Sequence, residues 1–130
     1  MKLCGLSIVT MLMLAGLVFG DDKEKALAPV DARKAVGKEI TVRMEVKAAK
    51  DRLEIRGEIY LDSEEDFKND KNFAVVITRK GAASLKDAGV TDPVDHFKGK
   101  IIRAVGMVSE VDGVPRIEID DAKQIALAKE

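Results

Sequence analysis

Residues 37–46 read Gly37-Lys38-Glu39-Ile40-Thr41-Val42-Arg43-Met44-Glu45-Val46. Ile40, Val42, Met44 and Val46 alternate with Thr41, Arg43, Glu45 and Lys47. This is the period of a strand with one face in a core and the other in water. The same opening returns at 99–104 as Gly99-Lys100-Ile101-Ile102-Arg103-Ala104, with Met44 set against Gly106 and Val46 against Val108. The recurrence predicts two strands that leave equivalent turns, each opening a hairpin in one pseudo-symmetric barrel.

Working outward, Leu53, Ile55, Ile59 and Leu61 alternate with Glu54, Arg56, Glu58 and Tyr60, and predict a second strand around Gly57. Ala48 to Arg52 is expected as the turn before it. Asp62 to Asn72 is a charged loop whose one apolar residue is Phe67. Phe73, Val75 and Ile77 give a third strand. Leu85, Ala88 and Gly89 indicate a short helix closed by a glycine, followed by a turn at Thr91-Asp92-Pro93 and a segment seated by Phe97. Ile102, Ala104, Gly106 and Val108 share one face of a fourth strand. Asp112-Gly113 is a strong hairpin signal, leading to a fifth strand with Val114, Ile117 and Ile119. Pro115 fits only a strand start or an edge. Gln124 to Ala128 is expected as a final edge strand or packed turn.

Three strands, a helix and two strands is the order of the OB-fold, a Greek-key barrel of five strands with a helix plugging one end. The expected class is therefore mainly β, a five-stranded OB-fold-like Greek-key barrel with a short helix between strands 3 and 4. Gly57 and Gly106 are expected to let their strands bend.

The total of 130 residues allows one domain. Lys and Arg number 22 against 23 Asp and Glu, with pI near 5.9, which excludes a strongly basic nucleic-acid footprint for the chain as a whole. Apolar residues at 46% exclude the composition of disorder. Lys2 followed by the uncharged Leu3–Phe19, with Val18 and Gly20 before Asp21, reads as a signal peptide cleaved after Gly20. An uncleaved anchor is the alternative. Cleavage removes Lys2 and Cys4, the only cysteine, so the exported chain has no disulfide and depends on its core. The expected organisation is a signal peptide at 1–20, a lead-in or linker at 21–36 with a helical turn capped by Asp31, and the OB-fold-like domain at 37–130. The expected location is the periplasm or beyond, with no membrane contact after cleavage.

From Gly37 to Leu127 the chain resembles small secreted OB-fold, nucleic-acid-binding-like domains of bacteria, many of planctomycete type. The residues carrying this are Gly37-Lys38-x-Ile40-Thr41-Val42, Asn72-Phe73-Ala74-Val75-Val76-Ile77, Phe97-Lys98-Gly99-Lys100 and Pro115-Arg116-Ile117-Glu118-Ile119-Asp120-Asp121, running on through Lys123-Gln124-Ile125. The resemblance implies ligand binding on one barrel face, to oligonucleotides or oligosaccharides, without choosing between them.

No residue constellation points to catalysis. The acidic loop Asp62, Glu64, Glu65, Asp66 and Asp70 lacks the spacing of an EF-hand, since Phe67 and Phe73 occupy the positions for Gly and Glu. His96 has no Ser or Cys partner that can be placed beside it. No metal, cofactor or catalytic residue is expected, and the protein reads as a non-enzyme. The outward residues of the first strands nominate a binding face of Arg43, Arg56, Tyr60 and Thr78. Glu45, Glu54 and Glu58 stand among them and oppose a polyanion, and cross-strand Arg–Glu pairing explains the face equally well. The expected function is a secreted, monomeric, non-catalytic binding or interaction module for a protein or glycan. Single-stranded nucleic-acid binding is the alternative.

Overall fold

The computed structural model describes residues 26–128. The signal peptide, its cleavage site, Cys4 and residues 21–25 lie outside the described residues.

The first quoted stretch is a strand, β1 (Glu39–Glu45), with Val42 and Met44 buried and Arg43 and Glu45 exposed. It runs on after Val46 and Lys47 into a second strand, β2 (Ala48–Arg52), where a turn was expected. The expected strand at 53–61 is in fact two elements. Leu53–Arg56 is one helical turn, α2, following a first short helix, α1 (Pro29–Ala32). The strand β3 covers only Glu58–Asp62. Local chemistry overrides the alternating pattern here. Asp51 Oδ1 accepts from Leu53 N at 2.9 Å, and Gly57 ends the turn at φ 74°, a left-handed conformation open to glycine. Ile55, counted inward by its period, is 77% exposed. Gly57 is thus a helix cap and not a bend in a strand.

Then follow β4 (Ala74–Thr78), α3 (Arg79–Asp87), α4 (Pro93–Phe97), β5 (Ile101–Val111), β6 (Val114–Ile119), a 3-10 turn (Ala122–Gln124) and β7 (Ile125–Leu127). The sheet has seven strands, not five. The count rises because the expected turn at Ala48–Arg52 is itself a strand, β2, and because the tail adds β7. Helices do lie between β4 and β5, and α3 closes at the expected place, with Gly89 at φ 98° beyond its end. The turn expected at Asp92-Pro93 starts α4, with Asp92 accepting from Asp95 N at 3.1 Å. The cap predicted at Asp31 falls instead on Ala28, with Pro29 in the first turn and Asp31 inside it.

The hydrogen-bonded order is β1-β5-β6-β4-β3-β2, with β7 also on β5. The pairs are antiparallel except β4–β6, which is parallel. The first and last strands of this path are consecutive in the chain, separated by Val46 and Lys47. Val46 N donates to Lys100 O at 2.9 Å, and Lys47 N donates to Asp62 O at 2.9 Å. These two residues therefore hold the two halves of the sheet to each other. The two similar runs of the sequence meet directly, since β1 pairs with β5 from Glu39 opposite Met107 to Glu45 opposite Ile101.

The core is apolar and continuous. Phe73 and Phe97 are its largest fully buried side chains, with Ile59, Leu61, Ile77, Ile102, Ile117 and Ile119 around them. Fully burying side chains of this size is worth roughly 1.5–3 kcal/mol each. Gly106 lies in a crowded stretch of β5, where an added Cβ would stand 2.6 Å from Ile117 Cγ2. Its role is close approach. Leu27 joins the sheet through a parallel bridge to Val42, and Ala32 of α1 is fully buried. Among the described residues no helix is long and apolar enough to cross a membrane.

Candidate ligand groove

Register places one outward row across four strands. Lys50 lies opposite Tyr60, Tyr60 opposite Val76, and Val76 beside Glu118. The next row is Asp62, Ala74 and Arg116. In strands, residues two apart share a face, so Arg52 and Glu58 belong to the same surface. Loops raise its borders: Ile55 and Arg56 of α2, Phe67 of the 63–73 loop, and Val111, Asp112 and Val114 at the β5–β6 hairpin. The result is an open groove of about 690 Å³, within the size range of ligand sites.

The groove has one tightly organised polar centre. Tyr60 donates its hydroxyl to Glu58 Oε1 at 2.6 Å, and Arg116 Nη1 donates to Glu58 Oε2 at 3.0 Å. The same guanidinium nitrogen reaches Glu118 Oε2 at 3.4 Å. Burial alone would raise the Glu58 carboxyl. The hydrogen bonds from Tyr60 and Arg116, and the charges of Arg116 and Arg56, overcome this and hold it below the ordinary carboxylate value. Tyr60 is pushed up, first by burial and then by its bond to the Glu58 carboxylate and that charge, while Arg56 acts in the opposite sense. Glu58 is thus an anion whose charge is already met from within the fold.

A second polar centre shapes the Phe67 border. Asn72 is fully buried and ties the loop together. Its Nδ2 donates to Asp62 Oδ1 at 3.1 Å and to Phe67 O at 3.4 Å. Its Oδ1 accepts from Glu64 N at 3.0 Å and from Ser63 Oγ at 3.4 Å. Arg33 Nη1 donates to the Asn72 carbonyl. Asp62 is raised by burial, against the Asn72 hydrogen bond and the charge of Lys50. On the loop this network positions, Phe67 has Lys50 Nζ 5.5 Å and Lys68 Nζ 5.9 Å from its ring centroid, both within cation–π range.

Of the four nominated residues, the structure brings two together. Arg56 and Tyr60 line the groove, though Arg56 reaches it from a helical turn and not from a strand. Arg43 lies on β1 opposite Arg103, away from the groove lining. Thr78 shares the outward face by register, but its hydroxyl is committed. Its Oγ1 lies 2.6 Å from Asp120 Oδ1 and 3.1 Å from Ile119 O, and it accepts from Gly81 N at 3.1 Å as the cap of α3. Sequence reasoning did not place Lys50 and Arg52, because their strand was read as a turn. It did not place Phe67, because loop residues have no period. Arg116 and Glu118 could have been found, since both fall outward in the alternation of Val114–Ile119. Glu45 and Glu54, set against a polyanion by their expected face, do not line the groove. Among the described residues no three His, Cys, Asp or Glu side chains are gathered as metal ligands would be. His96 packs edge-on against Phe97, with ring centroids 4.7 Å apart.

No family model and no curated protein matches the chain. Solved structures do match. One is the OBody AM1L10 bound to hen egg-white lysozyme, at a TM-score of 0.55 and 13% identity, covering 82% of this chain and 95% of that one. Another is an aspartyl-tRNA synthetase from Leishmania major Friedlin, at 0.53 and 11%, covering 96% of this chain. A third is asparaginyl-tRNA synthetase from Pyrococcus horikoshii, at 0.53 and 12%, covering 82% of this chain. This chain spans 23% of each synthetase. At such identities the likeness is one of fold, and the fold is of OB type.

Proposed function

We propose that the protein is an exported, non-catalytic OB-fold module that binds a protein or glycan ligand in the groove formed by β2, β3, β4 and β6. In this reading the sheet is a closed barrel, its path completed through Val46 and Lys47. The observation that carries the proposal is the groove itself, a concave surface with a preorganised Tyr60–Glu58–Arg116 centre bordered by three loops. Strand faces bordered by such loops are where OB-folds take oligomeric ligands. The structural neighbour bound to lysozyme supports a fold of this kind as a protein-binding scaffold.

Single-stranded nucleic acid is the second reading, favoured by the cations Lys50, Arg52 and Arg56 along one border. Titration of the purified protein with a labelled oligo-dT at low and high salt separates the two. Saturable binding that falls steeply with salt and is lost in Tyr60→Ala would establish the nucleic-acid reading. Amide shift mapping with candidate proteins and glycans tests the leading one. Shifts confined to surfaces away from 50–60 and 111–118 for every ligand that binds would overturn the groove assignment.

A further inference from the structure

Resting on the groove as the binding site, the arrangement of its rim identifies an occupant. The charges of the lining cancel: Lys50, Arg52, Arg56 and Arg116 stand against Glu58, Asp62, Asp112 and Glu118. At the centre they cancel locally. Arg116 holds Glu58 and reaches Glu118, while Arg56 acts on Glu58 and Lys50 on Asp62. At the rim they cancel by separation. The exposed Lys50, Arg52 and Arg56 lie on the β2 and α2 side, and the exposed Asp112 and Glu118 lie on the hairpin and β6 side. The rim also carries three of the seven large apolar side chains exposed among the described residues: Ile55 at 77%, Phe67 at 48% and Val111 at 41%. Apolar surface left to bury is thus gathered on the rim and not on the floor.

Topology fixes where these groups stand. β4 and β6 run parallel, and β3 runs against both. Asp62, Ala74 and Arg116 therefore mark one end of the groove, and Glu58 and Thr78 mark the other. The 63–73 loop and the β5–β6 hairpin rise at the first end, and α2 rises at the second. Phe67 leans toward β2, where Lys50 Nζ is 5.5 Å from its ring centroid. Ile55 and Arg56 thus hold one corner, Val111 and Asp112 the corner diagonally across, and Phe67 a third. A two-fold axis in the plane of the rim, along the diagonal through Phe67, turns this face onto a copy of itself. Arg56 then meets Asp112 and Ile55 meets Val111, each contact made twice, and Phe67 meets Phe67 across the axis. An isologous interface requires self-matching of this kind. We infer that the groove face closes on a second copy of this chain, its rim forming a two-fold dimer.

Sedimentation equilibrium of the purified protein, over concentrations up to millimolar, tests this. A monomer–dimer equilibrium is expected. Phe67→Ala should weaken it about tenfold, as the loss of an aromatic anchor does. Arg56→Asp and Asp112→Arg should each favour the monomer, because each sets like charges together at both 56–112 contacts. An equimolar mixture of these two variants should dimerise again, since every 56–112 contact then joins opposite charges. Asp112 holds a left-handed turn position at φ 53°, so Phe67→Ala and Arg56→Asp, which leave that turn intact, carry the test if Asp112→Arg loses its fold. A protein monomeric throughout, as the sequence reading expects, would overturn the dimer, while amide mapping with other ligands still tests the groove. A dimer indifferent to both Phe67→Ala and Arg56→Asp would also overturn it, since its contacts would lie on another face.

Discussion

Gln124 offers a demanding test of how this sheet is held at its thinnest point. Between β6 and β7 the ladder on β5 is interrupted, and one side chain fills the gap. Gln124 Nε2 donates to Val105 O at 2.9 Å and Glu118 O at 3.0 Å. Its Oε1 accepts from Asp120 N at 2.8 Å and Asp121 N at 3.0 Å. Four backbone groups from two strands and a turn depend on one amide. Each such bond contributes about 1 kcal/mol net. Asp120 and Asp121 are exposed, so water can serve their N–H groups when the side chain is cut. Gln124→Ala should therefore cost about 2 kcal/mol, which lowers the melting temperature of a domain this size by on the order of 10 °C. Gln124→Glu is the sharper variant. It keeps the two acceptor contacts but points a carboxylate oxygen at two carbonyl oxygens. The new carboxyl should have its folded pKa raised, so the folded state binds the extra proton more readily than the unfolded chain. By linkage, its stability relative to the parent falls as pH rises through that interval and recovers on acidification. Thermal melts of parent, Ala and Glu variants across pH 4 to 8 read this directly. A Gln124→Ala melting temperature within about 2 °C of the parent, where on the order of 10 °C is expected, or a Glu variant whose deficit does not shrink at low pH, would refute the reasoning.

Other outcomes follow from sites already described. In Gly81→Ala the new Cβ would stand 1.9 Å from Ile119 O, a backbone atom, and the resulting overpacking should cost about 3 kcal/mol, read by urea denaturation. Asn72→Ala strands the buried Asp62 carboxylate and frees the Phe67 loop. It should cost about 3 kcal/mol and abolish amide protection at 63–73 in hydrogen exchange. Glu58→Gln and Asp62→Asn should show pH dependences of opposite sign. The folded pKa of Glu58 is lowered, so its contribution is present above the ordinary carboxylate value and lost as pH falls through the folded one. The stability gap to Glu58→Gln is therefore widest near neutrality and closes in acid. The folded pKa of Asp62 is raised, so ionising it costs stability as pH rises. Asp62→Asn should exceed the parent at neutral pH and lose that advantage in acid.

Much of this fold was legible where two requirements agreed. In β1, β5 and β6 the alternating period and the turn residues point the same way, and the period selects most of the buried residues, with Thr41 and Pro115 buried outside it. Val75 and Ile77 are buried as expected, but Ala74 and Val76 are buried too. The outward face of β4 is the floor of the groove, and a period of two cannot show what covers a face. The misreading at 48–57 has a different cause. A strand beginning Ala48-Ala49 has no apolar alternation to reveal it, while Leu53 and Ile55 have the right period in a segment bracketed by Asp51 and Gly57. Those two residues carried the decisive signal, an Asx turn at one end and a left-handed glycine at the other. One of the four nominated face residues moved for the same reason. Arg56 arrives on a helical turn, and Lys50 and Arg52 take strand positions beside Tyr60.

The parallel pairing of β4 with β6 also has a consequence in time. Ala74 meets Arg116 and Ile77 meets Ile119, with α3, α4 and β5 lying between the partners in the chain. Closing a loop of that length costs about 3 kcal/mol of chain entropy before any ladder bond is returned. The β5–β6 hairpin spans only a tight Asp112-Gly113 turn and escapes this cost. The expected order of assembly is therefore hairpin first and parallel seam last, with the seam setting a folding rate in the slow range of non-local β topologies. The groove lies across that seam, since Ala74 and Arg116 are both in its lining. A newly made chain would accordingly gain its groove only in the final step of folding.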